Sequence, residues 1–201
     1  MTTTSLILFT ACASGASDAS EPTLNEIFAA VEKYRDVNVA IADGYDRDLL
    51  DTCETPLHMG ITGNLGTMGI HFLRRDLLEI DDQDSRLDVA GAHTDFLQPA
   101  GLVYEPQADG SLELVAVENL VSADAWERAG NRDAPTFQGI PYEHWPDDPA
   151  MSIQAQYDRH IWLRDNPSGV FAQYNPNVSC EHHDYNMPMM VRPDTIPPSG
   201  H

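Results

Sequence analysis

Lysine is nearly missing from this chain: Lys33 is the only one among 201 residues. Lysine and arginine together number 11 against 32 aspartates and glutamates, a formal charge of -21. Affinity for phosphate backbones comes from clustered basic side chains, so nucleic acid and anionic membrane surfaces are poor partners. Two physical readings of the acidity compete: a surface that stays hydrated in high salt, and like-charge repulsion in an exported protein. The want of lysine favours the first. Long apolar runs are missing too, and with them any segment able to span a bilayer. There is no internal repeat and no Gly-x-Ser-x-Gly elbow for a serine nucleophile. The glycine-rich stretch GITGNLGTMG lacks the lysine and the strand-before-helix setting of a phosphate loop.

Cysteine is scarce, with three in the chain. The opening MTTTSLILFTACASGASDAS has a short apolar core at residues 6–9, small residues before Cys12, and a Ser/Ala/Gly tether after it. That order resembles the lipobox of prokaryotic lipoproteins, which implies that Cys12 is lipidated and the protein is extracytoplasmic. Phe9 stands where leucine is usual and no basic residue precedes the core, so a cytosolic tail is the competing reading. In an exported protein the two remaining cysteines, Cys53 and Cys180, are most simply a disulfide. Closing a loop of about 127 residues stabilises a fold by roughly 4 to 5 kcal/mol on the chain-entropy model.

Thr23-Leu24-Asn25-Glu26 is a capping box. Behind it Leu24, Ile27, Phe28, Val31, Tyr34, Asn38 and Ile41 recur at helical spacing up to Asp43-Gly44, which predicts one amphipathic helix of about twenty residues. Beyond it the texture is that of strands: residues 67–73, then GLVYEPQADGSLELVAVENLV, whose Asp109-Gly110 marks a hairpin. A short helix is expected at residues 76–80, YDRHIWL and VFAQY read as strands, and the proline- and aromatic-rich residues 123–156 as an ordered loop over a sheet face.

Four ligand-capable residues stand inside apolar strand segments: His71 in MGIHFL, Glu105 in LVYEP, Glu118 in LVAVE and His160 in YDRHIWL. A buried carboxylate or imidazole has to be paired or coordinated. With Asp109 and Gly110 at the centre of the hairpin, Glu105 faces Leu114 and Glu118 faces Gly101. The two glutamates then share a sheet face about 13 Å apart at strand rise, too far for one ion. The candidate metal site is therefore His71, Glu118 and His160, with Glu105 nearer the hairpin end of the pocket. Two histidines and a carboxylate with an open position suit one divalent ion, zinc or iron. A hydrogen-bonded structural network or a metal-free pocket is the alternative. His58 and His93 fall in loops.

VSCEHHDYNMPMM holds Cys180, His183 and Met187 in the order of a copper loop, with His144 or His93 as the distant ligand. Copper fits less well, because a cysteine in a disulfide is no thiolate and the chain has too few strands for a Greek-key sandwich.

MGIHF, PAGLVYEP with LELVAVEN, and YDRHIWLRDNPSGVFAQYNPNVSC together resemble a family of uncharacterised exported prokaryotic proteins. Its members have an initial helix ending near DGY, a Met-Gly-x-His-aromatic strand, and a late His-x-Trp-Leu segment running through Asn-Pro turns to a cysteine. The resemblance covers about residues 27–180 and implies that His71, Glu118 and His160 belong to the common framework. It leaves activity open.

The expectation is thus an α+β domain, residues 23–187, with one long N-terminal helix packed on a curved, mostly antiparallel sheet or partial β-barrel. A signal-like segment and tether, residues 1–22, precedes it, and a proline-rich tail, residues 188–201, follows. The leading function is binding of a metal ion or small-molecule ligand by an exported protein whose one membrane contact is a lipid anchor on Cys12; catalysis stays open. The competing class is a non-catalytic cell-surface module whose Phe137, Tyr142 and Trp145 contact a partner.

Overall fold

The computed structural model describes residues 21–149 and 152–183. The chain is α+β, and every strand pairing is antiparallel. Helix α1 (Leu24–Val31) carries the capping box, in which Thr23 Oγ1 and the Glu26 side chain satisfy each other's backbone N–H groups. The single long helix does not form. After α1 the chain tightens into a 3-10 turn at Glu32–Arg35, breaks at Asp36, and restarts as α2 (Val37–Ala42). A continuous helix would give the Tyr34 carbonyl to the Asn38 N–H. Here the Tyr104 hydroxyl takes that carbonyl at 2.7 Å, and Asn38 N–H bonds the Asp36 side chain at 3.0 Å. Asp36 thereby caps α2, and Ile41, the last apolar position of the expected stripe, is 50% exposed.

The main sheet runs β1 (Asp46–Arg47), β3 (Gly69–Leu73), β4 (Gly101–Pro106), β5 (Leu112–Ser122), β9 (Gln156–Trp162), β8 (Glu143–Trp145), and β2 (Cys53–Glu54) lies beside β1 on the edge of β3. Short helices α3 (Arg75–Leu78) and α4 (Ala123–Arg128) and a small ribbon of β6 (Thr136–Phe137) with β7 (Ile140–Pro141) fill the connections. The expected loop at 123–156 therefore contributes an edge strand, β8. VFAQY forms no strand; its Val170 carbonyl accepts the Trp162 N–H instead.

One face of the sheet presents Ile70, Phe72, Leu102, Tyr104, Leu114, Val117 and Ile161 to α1, α2 and the aromatics Phe96, Phe137 and Tyr142. The opposite face carries His71, Glu118 and His160. β3 and β9 lie three strand spacings apart, about 14 Å, and the His71 and His160 side chains lean toward each other over β4 and β5, bringing their rings to 6.1 Å.

Candidate metal centre

The site is built by register. Glu118 on β5 pairs directly with His160 on β9 and, on its other side, with Gly101 on β4. His71 on β3 pairs with Val103, two residues along β4 from Gly101. Because side chains alternate along a strand, all three point to one face, and Glu118 has to reach across β4 to approach His71. Gly101 leaves that path open: a Cβ there would stand 3.2 Å from Glu118 Oε2.

His160 Nε2 lies 3.3 Å from Glu118 Oε1, and His71 Nε2 lies 3.5 Å from Glu118 Oε2. The three residues are 1%, 0% and 2% exposed in the order His160, Glu118, His71. Both Nε2 atoms and both carboxylate oxygens are without a hydrogen-bond partner. An orphaned buried polar group costs about 1–3 kcal/mol, and a cation bound among these atoms could offset that cost. One ligand atom from each residue can be chosen so that all lie within 4.8 Å. Metal–ligand bonds of about 2.0–2.2 Å in a tetrahedron give ligand–ligand edges of about 3.3–3.6 Å. The two N···O separations go to different oxygens of the one carboxylate, so one bound oxygen keeps one of them as an edge and the remaining pairs would draw in on coordination. Among the described residues this is the one group of three such side chains so placed.

Burial sets the protonation states. It pushes the Glu118 carboxyl up to about 7, with the Arg86 charge pulling down and Asp48 pushing up. It pushes His71 down to about 4 and His160 well below its ordinary value, the latter helped by the neighbouring His71, Arg86 and Arg159. Two neutral imidazoles and an acid that ionises near neutrality form a ligand set that accepts a divalent cation at pH 7.

Two walls enclose the group. On one side Arg86 is paired with Asp48 at 3.2 Å and with Glu54, all three buried. Beside it a narrow cleft is lined by Glu54, Met68, Arg86, Trp145, Gln156 and Asp158. Asp158 precedes His160 by two residues and shares its face. Its Oδ2 accepts from Trp145 Nε1 at 3.1 Å and Gln173 Nε2 at 3.3 Å, and burial raises its carboxyl far above the ordinary range. On the other side residues 172–180 cross the face from β9 to β2. Their Asn175 bridges Thr67, and Val178 packs on Val103, Ala116 and Trp162.

Of the other residues singled out, Cys53 and Cys180 form a disulfide. Glu105 shares the face but stands outside the metal group: it accepts from the Ser179 N–H at 2.7 Å and pairs with Arg164. The copper loop is not assembled, because Cys180 is committed to sulfur and His183 Nε2 lies 3.2 Å from the Arg47 guanidinium. Met187, Cys12, the N-terminal segment up to residue 20 and the proline-rich tail lie outside the described residues. His58 Nδ1 accepts the Thr55 N–H, and His93 Nε2 sits 2.7 Å from the Gln98 carbonyl. Phe137 and Tyr142 are buried in the core, and Trp145 is partly buried over Asp158, so these aromatics form no exposed contact surface.

Asp48, Glu54, Arg86 and Asp158 escape a reading of the sequence. For Asp158 the signal was present, since period-two alternation puts it on the face of His160. For the other three no local pattern indicates that a loop returns over the sheet. No helix of the described residues is long and apolar enough to cross a membrane. No protein-family model matches the chain, and no curated protein and no solved structure matches it.

Proposed function

We propose that this is an exported metal-binding protein in which His71, Glu118 and His160 hold one divalent ion, zinc first and iron second. Three fully buried ligand atoms, one from each residue and all within 4.8 Å of one another, none of them hydrogen-bonded, carry this reading. Zinc is placed first because two neutral imidazoles and one carboxylate with an open position are an ordinary zinc ligand set. Three protein ligands leave a position for water or a small-molecule ligand, the arrangement that supports metal-assisted hydrolysis. The disulfide agrees with an oxidising compartment. The resemblance to uncharacterised exported prokaryotic proteins and the lipobox-like segment support export, with Cys12 as the lipid anchor.

The test is elemental mass spectrometry on untagged protein purified from its native compartment. About one equivalent of zinc or iron, lost in His71→Ala and His160→Ala proteins that keep their fold, is the expected result. Protein that is metal-free after gentle purification and takes up neither ion on titration overturns the reading. Radiolabelled lipid incorporated in the wild type and absent from Cys12→Ser checks the anchor.

A further inference from the structure

The strap of residues 172–180 is held at both ends. At its start Trp162 Nε1 donates to the Ala172 carbonyl at 2.5 Å, in its middle Asn175 and Thr67 exchange backbone hydrogen bonds at 3.0 and 3.2 Å, and at its end Cys180 is bonded to Cys53 on β2. Between these points Val178 covers Val103, Ala116 and Trp162. Those three flank the metal group directly. Val103 is the cross-strand partner of His71, Ala116 is two residues from Glu118, and the Trp162 ring lies over that of His160 at 6.1 Å. Cys53 also precedes Glu54, which holds Arg86 over the other side of the chamber. The two walls thus meet at one covalent bond. While it exists the strap is a closed bridge; without it, the strap is held by non-covalent contacts alone, among them the Asn175–Thr67 pair, the Ser179 N–H to Glu105 and the Arg164 bond to the Asn177 carbonyl, and its opening becomes a local event.

We propose that the Cys53–Cys180 disulfide is the latch of this chamber: metal enters while the thiols are reduced and is retained once they are joined. In the closing step the two thiols give up two protons and two electrons to an incoming disulfide, of a protein oxidoreductase or a small dithiol reagent. The new S–S bond forms between Cys53 and Cys180, and the reagent leaves as two thiols. This rests on the metal reading above, and gives it an order of events in which loading precedes oxidation.

The experiment compares zinc-loaded protein with the disulfide intact, with it reduced, and as Cys53→Ser/Cys180→Ser, each challenged with excess chelator. All three are expected to bind about one equivalent, with release at least about tenfold faster when the bridge is absent. Equal release rates overturn the latch. Labelling of His71 and His160 by diethylpyrocarbonate, read by peptide mass spectrometry on metal-free protein, tests the latch independently, with labelling expected only without the bridge. If no form binds zinc and labelling still follows the disulfide, the metal reading falls and the latch on the chamber stands. If zinc binds and both readouts ignore the disulfide, the latch falls and the metal site stands. Should reduction unfold the chain, the order of loading decides: metal-free protein with the disulfide intact that takes up zinc far more slowly than protein loaded during oxidative refolding supports the latch, and uptake at once by the oxidised protein overturns it.

Discussion

The two faces of one sheet differ in how they treat buried polarity. On the helix side β3, β4, β5 and β9 contribute apolar bulk, and two buried hydroxyls are paired: Tyr45 donates to the Pro99 carbonyl and Tyr104 to the Tyr34 carbonyl, each at 2.7 Å, while the Tyr142 hydroxyl and Asn119 Nδ2 are without a hydrogen-bond partner. On the other face a carboxylate and two imidazoles are as deeply buried and have no hydrogen-bond partner at four atoms. The first face gains stability from its two paired hydroxyls. The second gives stability up in the metal-free state, and such a loss is tolerated where something else repays it.

This contrast can be broken by substitution. The largest expected effect is at His160→Ala, which should weaken zinc binding by more than the roughly 100-fold that loss of an outer-shell partner costs, as read by competitive titration. On the helix face Phe72→Ala should destabilise the fold by about 3–5 kcal/mol with or without metal, by denaturant unfolding. Glu118→Gln should separate the faces by sign. Burial raises the Glu118 carboxyl from its ordinary value to about 7, so the fold carries a charge it disfavours above that pH and none below the unfolded value. At pH 8 the neutral amide should therefore stabilise the metal-free protein by about 1–3 kcal/mol while abolishing the stabilisation that zinc confers. Gly101→Ala crowds Glu118 Oε2 and should cost roughly tenfold in affinity with little change in fold stability. The mildest effect is that of pH. With His71 neutral down to about 4 and His160 lower than ordinary, Glu118 is the ligand whose proton competes. Zinc affinity should fall by about tenfold per unit between pH 7 and 5, a slope of one proton, and level off above 7. A slope of two or three would mean that the histidines are not held neutral.

What could be read in advance follows physical range. The metal group was legible because polar residues inside apolar strand runs stand out against alternation; the expected pairing of Glu118 with Gly101 holds only because the bulge at Val115 offsets a hairpin loop one residue longer than the two-residue turn read from Asp109-Gly110. The capping box at Thr23 was legible for the same local reason. The length of the helix was not, because the competitor for the Tyr34 carbonyl is Tyr104, seventy residues away. Arg86 over the site and the burial of Phe137 and Tyr142 likewise depend on where a loop lands, which local periodicity does not encode. The pairing expected for Glu105 was off by one, since it meets Glu113 rather than Leu114.

That shift comes from the bulge beside Val103 and Tyr104, where β5 spends one additional residue at Val115. In evolutionary terms the bulge divides the ribbon into a variable tip and a fixed base. Below it Gly101, Leu102 and Val103 are locked against Glu118, Val117 and Ala116, and β5 is locked again by β9. Above it residues 107–111 only close the turn. A slip at the tip would flip every following side chain in an unbroken ladder, but here it ends at Val115. Loop growth, peptide insertion or fusion at the exposed tip, residues 108–111, can proceed without re-indexing Glu118.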